Sequence, residues 1–119
     1  MKEILVIDDD NFVLESIKKQ LKEEDMEVMF VDNPLTGLSI IDNKHFDLVL
    51  CDIKMEPMNG IEVLRNIKEK HPEVPVIILT GYVDDGLLEK AKDYGSSDFL
   101  IKPIRKRELI DSMYSVMTQ

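Results

Sequence analysis

The sequence has 119 residues, 44% of them hydrophobic and 33% charged, and it carries a formal net charge of -9. The length suits one compact domain with a real core, and the negative charge argues against direct binding to nucleic acid. No apolar run approaches the roughly 20 residues of a membrane helix and the first residues do not resemble a secretory signal, so we expect a cytoplasmic protein that does not bind membranes. The single cysteine, Cys51, cannot form an internal disulfide and is expected to be buried.

Five short apolar runs alternate with stretches of helical periodicity. The runs are Ile4 to Ile7, Val28 to Val31, Leu48 to Cys51, Val76 to Leu79 and Phe99 to Ile101. The helical stripes that follow them begin at Val13, Leu38, Ile61, Leu87 and Leu109. Parallel strands need a helical crossover between them, so the alternation predicts an α/β doubly wound sheet of five parallel strands with five helices, in the flavodoxin-like order 2-1-3-4-5. We expect residues 1–119 to form this one domain, with no second domain among them.

Polar side chains follow four of the predicted strands. Asp8 and Asp9 come after the first strand, Asp52 after the third, Thr80 after the fourth and Lys102 after the fifth. In open parallel sheets, ligands bind outside the carboxyl ends of the strands, where the strand order reverses. We therefore expect these five side chains to meet at one edge of the sheet.

The expected cluster contains three carboxylates and one ammonium group, so a divalent cation would offset the remaining negative charge. Oxygen ligands without histidine or cysteine favour Mg²⁺, or a similar ion such as Mn²⁺, over zinc. An aspartate beside a cation, a lysine and a hydroxyl can attack a phosphoryl group and carry it as an acyl phosphate. Asp52 is the best candidate for this role because Asp8 and Asp9 are assigned to the metal, and Gly81 keeps the approach clear of bulk.

Four motifs occur in order with helix-sized gaps between them. They are "VIDDD", "LVLCDIKMEPMNG", "VIILTG" and "DFLIKPI". With these motifs the sequence resembles the receiver domain of two-component response regulators along its whole length. The resemblance implies a signalling switch and not an enzyme, with self-catalysed phosphorylation and slow autodephosphorylation as its only chemistry.

The resemblance also implies roles for individual residues. Asp52 would be phosphorylated by a sensor histidine kinase, while Asp9, supported by Asp8, holds magnesium. The main-chain carbonyl of Lys54 would be a further metal ligand. Thr80, with Gly81 beside it, and Lys102 would contact the phosphoryl group.

The strand that ends at Lys102 carries two further implied features. The bond from Lys102 to Pro103 would be cis, and Phe99 would couple phosphorylation to the face formed by helix 4, strand 5 and helix 5. That face would control an output domain or partner protein. A phosphorylation-dependent homodimer is a further implied association. An alternative for Phe99 is an ordinary core aromatic on strand 5.

One loop departs from the family pattern, because Glu56 separates Met55 from Pro57. We expect a reshaped loop with an added charge and a retained site, with Met55 and Met58 exposed. In the family, the positions of Lys54 and Tyr82 influence access of the hydrolytic water. Our hypothesis is that Tyr82 slows spontaneous dephosphorylation.

Two alternatives concern the acidic run after the first strand. "IDDDNF" is superficially similar to the motif of haloacid-dehalogenase-type phosphatases, in which Asp8 would be the nucleophile and Asp10 the acid or base. Phe12 stands where that motif has threonine or valine, and no acidic pair follows Lys102 at a strand end. Asp10 is either a third metal ligand or, as we prefer, the cap of the first helix.

Overall fold

The computed structural model of the chain describes residues 1–81 and 85–119. Strands and helices alternate in the order β1 (Lys2–Ile7), α1 (Asn11–Gln20), β2 (Met26–Val31), α2 (Pro34–Asn43), β3 (Leu48–Asp52), α3 (Gly60–Lys70), β4 (Val76–Thr80), α4 (Asp85–Asp93), β5 (Asp98–Ile101) and α5 (Lys106–Met117). Each predicted apolar run lies in a strand, and each predicted stripe lies in a helix. None of the helices among the described residues is long and apolar enough to cross a membrane.

The five strands are parallel and lie in the order β2-β1-β3-β4-β5, which confirms the predicted flavodoxin-like sheet. The register pairs Ile7 with Cys51 across β1 and β3. It also pairs Thr80 with Ile101 across β4 and β5. The residues that follow these strands therefore lie along the same edge of the sheet.

Polar side chains cap three of the helices. Asp10 caps α1, because its side chain accepts a hydrogen bond from the backbone N–H of Phe12 at 2.9 Å, as we preferred. Asn33 caps α2 directly before a proline, and Asn59 forms a capping box with Glu62 at the start of α3. These caps fix where each helix begins beside the site edge of the sheet.

Apolar side chains of the strands alternate between two layers of the core. The α2–α4 layer lies between the sheet and helices α2, α3 and α4, and its buried residues include Leu5, Cys51, Leu64, Ile78 and Ala91. The α1/α5 layer lies on the other face of the sheet, and its buried residues include Val6, Ile17, Leu50, Leu79 and Leu109. Every residue of β3 and β4 is buried, so the strands that carry the site are held from both faces.

Two side chains are less exposed than the sequence indicates, and the exposure of a third excludes one of the alternatives given for it. Met55 is only 6% exposed and belongs to the α2–α4 layer, and Met58 is half-buried against the same layer, so the expectation that both are exposed was wrong. The loop after β3 folds back until the N–H of Gly60 donates to the carbonyl of Ile53 at 2.8 Å, and Met55 faces the core. Phe99 is 43% exposed and is not a core aromatic, because the edge strand β5 buries its neighbour Leu100 instead.

Candidate functional site

Three aspartates, two of them buried and one exposed, line the site. Asp8 follows β1 and is fully buried, Asp52 ends β3 and is 4% exposed, and Asp9 is exposed to solvent. One carboxylate oxygen from each of them lies within 4.8 Å of the other two. The Oδ1 atom of Asp8 is fixed by the backbone N–H of Asp10 at 2.9 Å. The parallel sheet therefore brings together residues that are far apart in the sequence.

Lys102 lies between the two buried carboxylates. Its Nζ is 2.9 Å from Oδ2 of Asp8 and 3.0 Å from Oδ1 of Asp52. Its backbone N–H donates to the carbonyl of Thr80 at 2.7 Å, which continues the pairing of β4 and β5 by one residue. Oδ1 of Asp52 also accepts a hydrogen bond from the N–H of Ile53 at 3.0 Å. Two donors thus hold the Asp52 carboxylate in one orientation.

The surroundings change the protonation of Asp52. Burial is the main cause that raises the pKa of Asp52 to about 6, and the charge of Asp8 acts in the same direction, against the lowering effect of Lys102. Burial by itself lowers the pKa of Lys102, but its contacts with Asp8 and Asp52 and the negative charges of these two residues together outweigh burial and raise that pKa above its usual value. The lysine is therefore charged, and the cluster as a whole retains excess negative charge.

This donor set fits a divalent cation. Asp8, Asp9 and Asp52 offer only carboxylate oxygens, and such ligands suit Mg²⁺ or Mn²⁺ better than zinc. The exposed position of Asp9 leaves one side of the cluster open to solvent. A groove of about 520 Å³ lies on this side, and its lining includes Asp9, Lys54 and Glu56. The acidic cluster can hold a metal while a second ligand approaches from the groove.

Other predicted site residues lie on β4 and β5 and in the loops after β3 and β4. Thr80 ends β4 and is 2% exposed, and Lys54 is an exposed residue of the loop after β3. Gly81 is exposed, and a Cβ built on it would meet no heavy atom of the described residues within 4 Å. Phe99 lies on β5, in register with Ile78. Tyr82 lies outside the described residues.

The loop between β3 and α3 contains Glu56, the residue that separates Met55 from Pro57. Both the Glu56–Pro57 bond and the Lys102–Pro103 bond are cis. The loop ends at Gly60, where a Cβ would lie 2.2 Å from the carbonyl oxygen of Asp52. Sequence reasoning missed this role of Gly60, although a glycine directly after the capping Asn59 was a signal for a close backbone approach.

A family model described as the response regulator receiver domain matches residues 4–114. The chain belongs to the response regulator receiver domain family. Membership confirms the resemblance inferred from the four motifs, and the alternative of a haloacid-dehalogenase-type phosphatase is not supported. Receiver domains are signalling switches, which agrees with the expectation for this chain.

Curated relatives contain a similar receiver domain within longer proteins. The transcriptional regulatory protein ZraR of Klebsiella oxytoca is 40% identical over 102 residues, which are 86% of this chain and 23% of that protein. The cell cycle response regulator CtrA of Brucella ovis is 30% identical over 116 residues, which are 96% of this chain and 49% of that protein. The chain therefore spans less than half of the length of either relative.

Solved receiver domains have the same fold. A CheY-like response regulator receiver domain protein from Methanospirillum hungatei JF-1 superposes with a TM-score of 0.94 at 31% identity, covering 99% of this chain and 94% of that chain. A response regulator receiver domain protein from Clostridium thermocellum gives a TM-score of 0.92 at 32% identity, covering 99% and 95% of the two chains. The similarity extends over nearly the whole length in both comparisons.

Proposed function

We propose that Asp52 accepts a phosphoryl group from a sensor histidine kinase and that the modified domain then controls an output domain or partner protein. The observation that carries the proposal is the position of Lys102, whose ammonium group bridges the buried carboxylates of Asp8 and Asp52. An aspartate fixed beside a cationic group, at the open edge of the sheet, has the arrangement that phosphoryl transfer requires.

Phosphoryl transfer to Asp52 would involve the phosphodonor and a few groups of the site. A carboxylate oxygen of Asp52 forms a bond to phosphorus while the bond from phosphorus to the donor's imidazole nitrogen breaks, and the electron pair of that bond returns to the imidazole. Lys102 offsets the charge on the phosphoryl oxygens, and the hydroxyl of Thr80 donates a hydrogen bond to them. Gly81 adds no side chain next to Thr80. The domain would act as a switch and not as an enzyme, with slow autodephosphorylation as its return step.

A bound Mg²⁺ or Mn²⁺ ion would offset the negative charges of the carboxylates and of the incoming phosphoryl oxygens. We assign its protein ligands to Asp8, Asp9, Asp52 and the main-chain carbonyl of Lys54. The close carboxylate oxygens of the three aspartates and the raised pKa of Asp52 support this assignment. Asp10 is left out of the ligand set because its side chain caps α1.

The output face is assigned to α4, β5 and α5. The exposed side chain of Phe99 supports this assignment, because a rotation of a half-exposed ring changes the surface presented to a partner. A preference of roughly 1 to 3 kcal/mol for one conformer is enough to shift its population by about 5- to 150-fold. We place the output outside residues 1–119, either as a further domain or as a separate protein, and we include a phosphorylation-dependent homodimer through the same face.

We also propose where the domain acts and which residues influence the lifetime of the phosphoryl group. The domain would act in the cytoplasm without binding nucleic acid or membranes through these residues, which agrees with its net charge of -9. Lys54 and Tyr82 would tune the lifetime of the phosphoryl group. A Tyr82→Ala variant is expected to lose the phosphoryl group faster than the parent protein.

Incubation with Mg²⁺ and acetyl phosphate, followed by intact-mass measurement, tests the assignment of Asp52. The parent protein should gain a single phosphoryl group and Asp52→Asn should gain none. Asp10→Asn is the matched control, because asparagine also caps helices and the residue lies outside the assigned ligand set. If Asp52→Asn still gains the group while Asp8→Asn does not, the nucleophile has been assigned to the wrong aspartate.

A further inference from the structure

We propose that Gln20, the last residue of α1, is a positioning residue for Lys102. The inference rests on the proposed function, because the group that Gln20 positions is the one assigned to the phosphoryl oxygens. Gln20 reaches the segment that follows Lys102 through a hydrogen bond between residues 84 positions apart in the sequence. Its side-chain hydrogen bonds go to Ser16 and Ile104 and not to any residue of the acidic cluster.

The contact of Gln20 with Ile104 is short and specific. Nε2 of Gln20 donates to the main-chain carbonyl of Ile104 at 2.7 Å, and the same atom lies 3.5 Å from Oγ of Ser16 one helical turn earlier. Ile104 is only two residues after Lys102, and its side chain packs partly buried against the α1/α5 layer. Gln20 thus connects the end of α1 to the short segment between β5 and α5.

This hydrogen bond adds to the support of Lys102 along the backbone. On its amino side, the N–H of Lys102 is paired with the carbonyl of Thr80 at 2.7 Å. On its carboxyl side, Pro103 has no N–H to donate, and Arg105 gives the start of α5 no side-chain cap. The bond from Gln20 to the Ile104 carbonyl therefore restrains the segment on this side of Lys102.

The hydrogen bonding of Gln20 indicates that its side chain positions the Ile104 carbonyl and adds little to the stability of the fold. Gln20 directly precedes Leu21, a buried residue of the α1/α5 layer, and its Oε1 is buried with no hydrogen-bond partner among the described residues. A buried acceptor without a partner offsets much of what the Nε2 bond contributes to stability. An unbranched apolar side chain of similar length would pack there without that cost. What such a side chain would lose is the fixed position of the Ile104 carbonyl.

The variant Gln20→Met removes the donor and keeps the length of the side chain. We expect it to be phosphorylated about three- to tenfold more slowly than the parent protein at saturating Mg²⁺, because small displacements of a charge-stabilising group lower the rate of group transfer. Gln20→Glu, which also has no donor at neutral pH, should be at least as slow. Mg²⁺ affinity should be unchanged in Gln20→Met, because the metal ligands are not touched.

Tyr114→Phe is the matched control. The hydroxyl of Tyr114 donates to Glu24 at 2.8 Å and thus ties α5 to the turn after α1 by a contact separate from that of Ile104. Two quantities are measured for each protein. The first is the rate of phosphorylation by phosphoramidate, and the second is the hydrogen exchange of the Lys102 amide, which is followed by NMR without any phosphodonor. Both quantities should change in Gln20→Met and remain at the parent values in Tyr114→Phe.

Parent-like rates and parent-like exchange of the Lys102 amide in both Gln20 variants would overturn the inference. Equal slowing in Gln20→Met and Tyr114→Phe would also overturn it, since any loss of an α5 contact would then be sufficient. If the parent protein itself is not phosphorylated, the proposed function fails, and the exchange of Lys102 still decides whether Gln20 positions this residue.

Discussion

At the scale of single residues, the negative charge of Asp52 is held at a cost in stability. The side chain belongs to a residue that is 4% exposed and lies beside Asp8, and Lys102 compensates for only part of this environment. Because burial raises the pKa of Asp52 to about 6, the ionised form costs the folded protein about 1 to 3 kcal/mol relative to the unfolded chain. The residue proposed to carry the signal therefore destabilises the free domain.

Asp52→Asn is expected to be more stable than the parent by about 1 to 3 kcal/mol at a pH of about 7.5 without divalent ions. Well below the unfolded pKa of 3.8 the carboxyl group is protonated in both the folded and the unfolded protein, so the difference should vanish there. It should grow as the pH rises from 3.8 to about 6. Urea unfolding followed by far-UV circular dichroism measures this, because the chain has no tryptophan.

Glu23→Gln is the control for this measurement, because Glu23 is an exposed acid on the turn after α1. Its effect on stability should be small at every pH. Addition of Mg²⁺ should stabilise the parent protein and narrow its difference from Asp52→Asn. A difference that persists unchanged at the acid end of the range would contradict the assigned cause.

At the scale of elements, the segment from β3 to α3 packs closely against the backbone of Asp52. The N–H of Gly60 donates to the carbonyl of Ile53 at 2.8 Å, and a Cβ on Gly60 would lie 2.2 Å from the carbonyl oxygen of Asp52 and 2.7 Å from Cα of Ile53. Both clashes are with backbone atoms, which cannot rotate away. The position of α3 and the position of Asp52 are therefore fixed together.

Gly60→Ala should lower the free energy of unfolding by about 2 kcal/mol or more, because either the start of α3 or the end of β3 must move. The same variant should bind Mg²⁺ more weakly, which isothermal titration calorimetry measures. Gly81→Ala is the matched control for stability, since a Cβ there meets no heavy atom of the described residues within 4 Å. Equal free energies of unfolding for the two variants would show that the loop before α3 can move at little cost.

At the scale of the whole molecule, the sheet separates the core into two layers. Buried side chains of α1 and α5 lie in one layer, and those of α2, α3 and α4 lie in the other. Ile17 and Ile67 are both fully buried, one in each layer. Since the sheet stands between them, a cavity on one side has no shared packing partner on the other.

The variants Ile17→Val and Ile67→Val should each cost about 0.5 to 1.5 kcal/mol. We expect the double variant to lose the sum of the two costs within about 0.5 kcal/mol, because the two positions lie in separate layers. Urea unfolding of the parent, the two single variants and the double variant gives all four values. A coupling energy above about 1 kcal/mol would mean that the sheet transmits packing changes between the layers.

The order of elements and the residues at the strand ends could be predicted from the sequence. Short apolar runs such as that of β3 are buried on both faces, and this pattern is typical of parallel strands. Once the strands were parallel, the meeting of Asp8, Asp52 and Lys102 at one edge followed from the geometry of the sheet. Local signals were also sufficient for the cap at Asp10.

Features that depend on tertiary packing could not be predicted. The burial of Met55 follows from the way the loop after β3 folds back, and the exposure of Phe99 follows from which face of an edge strand is covered. Hydrophobicity alone does not distinguish these two environments. The bond from Gln20 to Ile104 joins positions 84 residues apart, so no local pattern indicates it.

The brevity of β5 affects how copies of this domain could associate. The strand has only four residues, begins at the charged Asp98 and is followed by the charged Lys102. Such an edge offers few free backbone groups to a foreign strand, so stacking into fibres through continued β-pairing at this edge is disfavoured. Phe99 and Ile101 still expose apolar side chains here. Two copies meeting at β5 would therefore touch through these side chains and not through continued β-pairing.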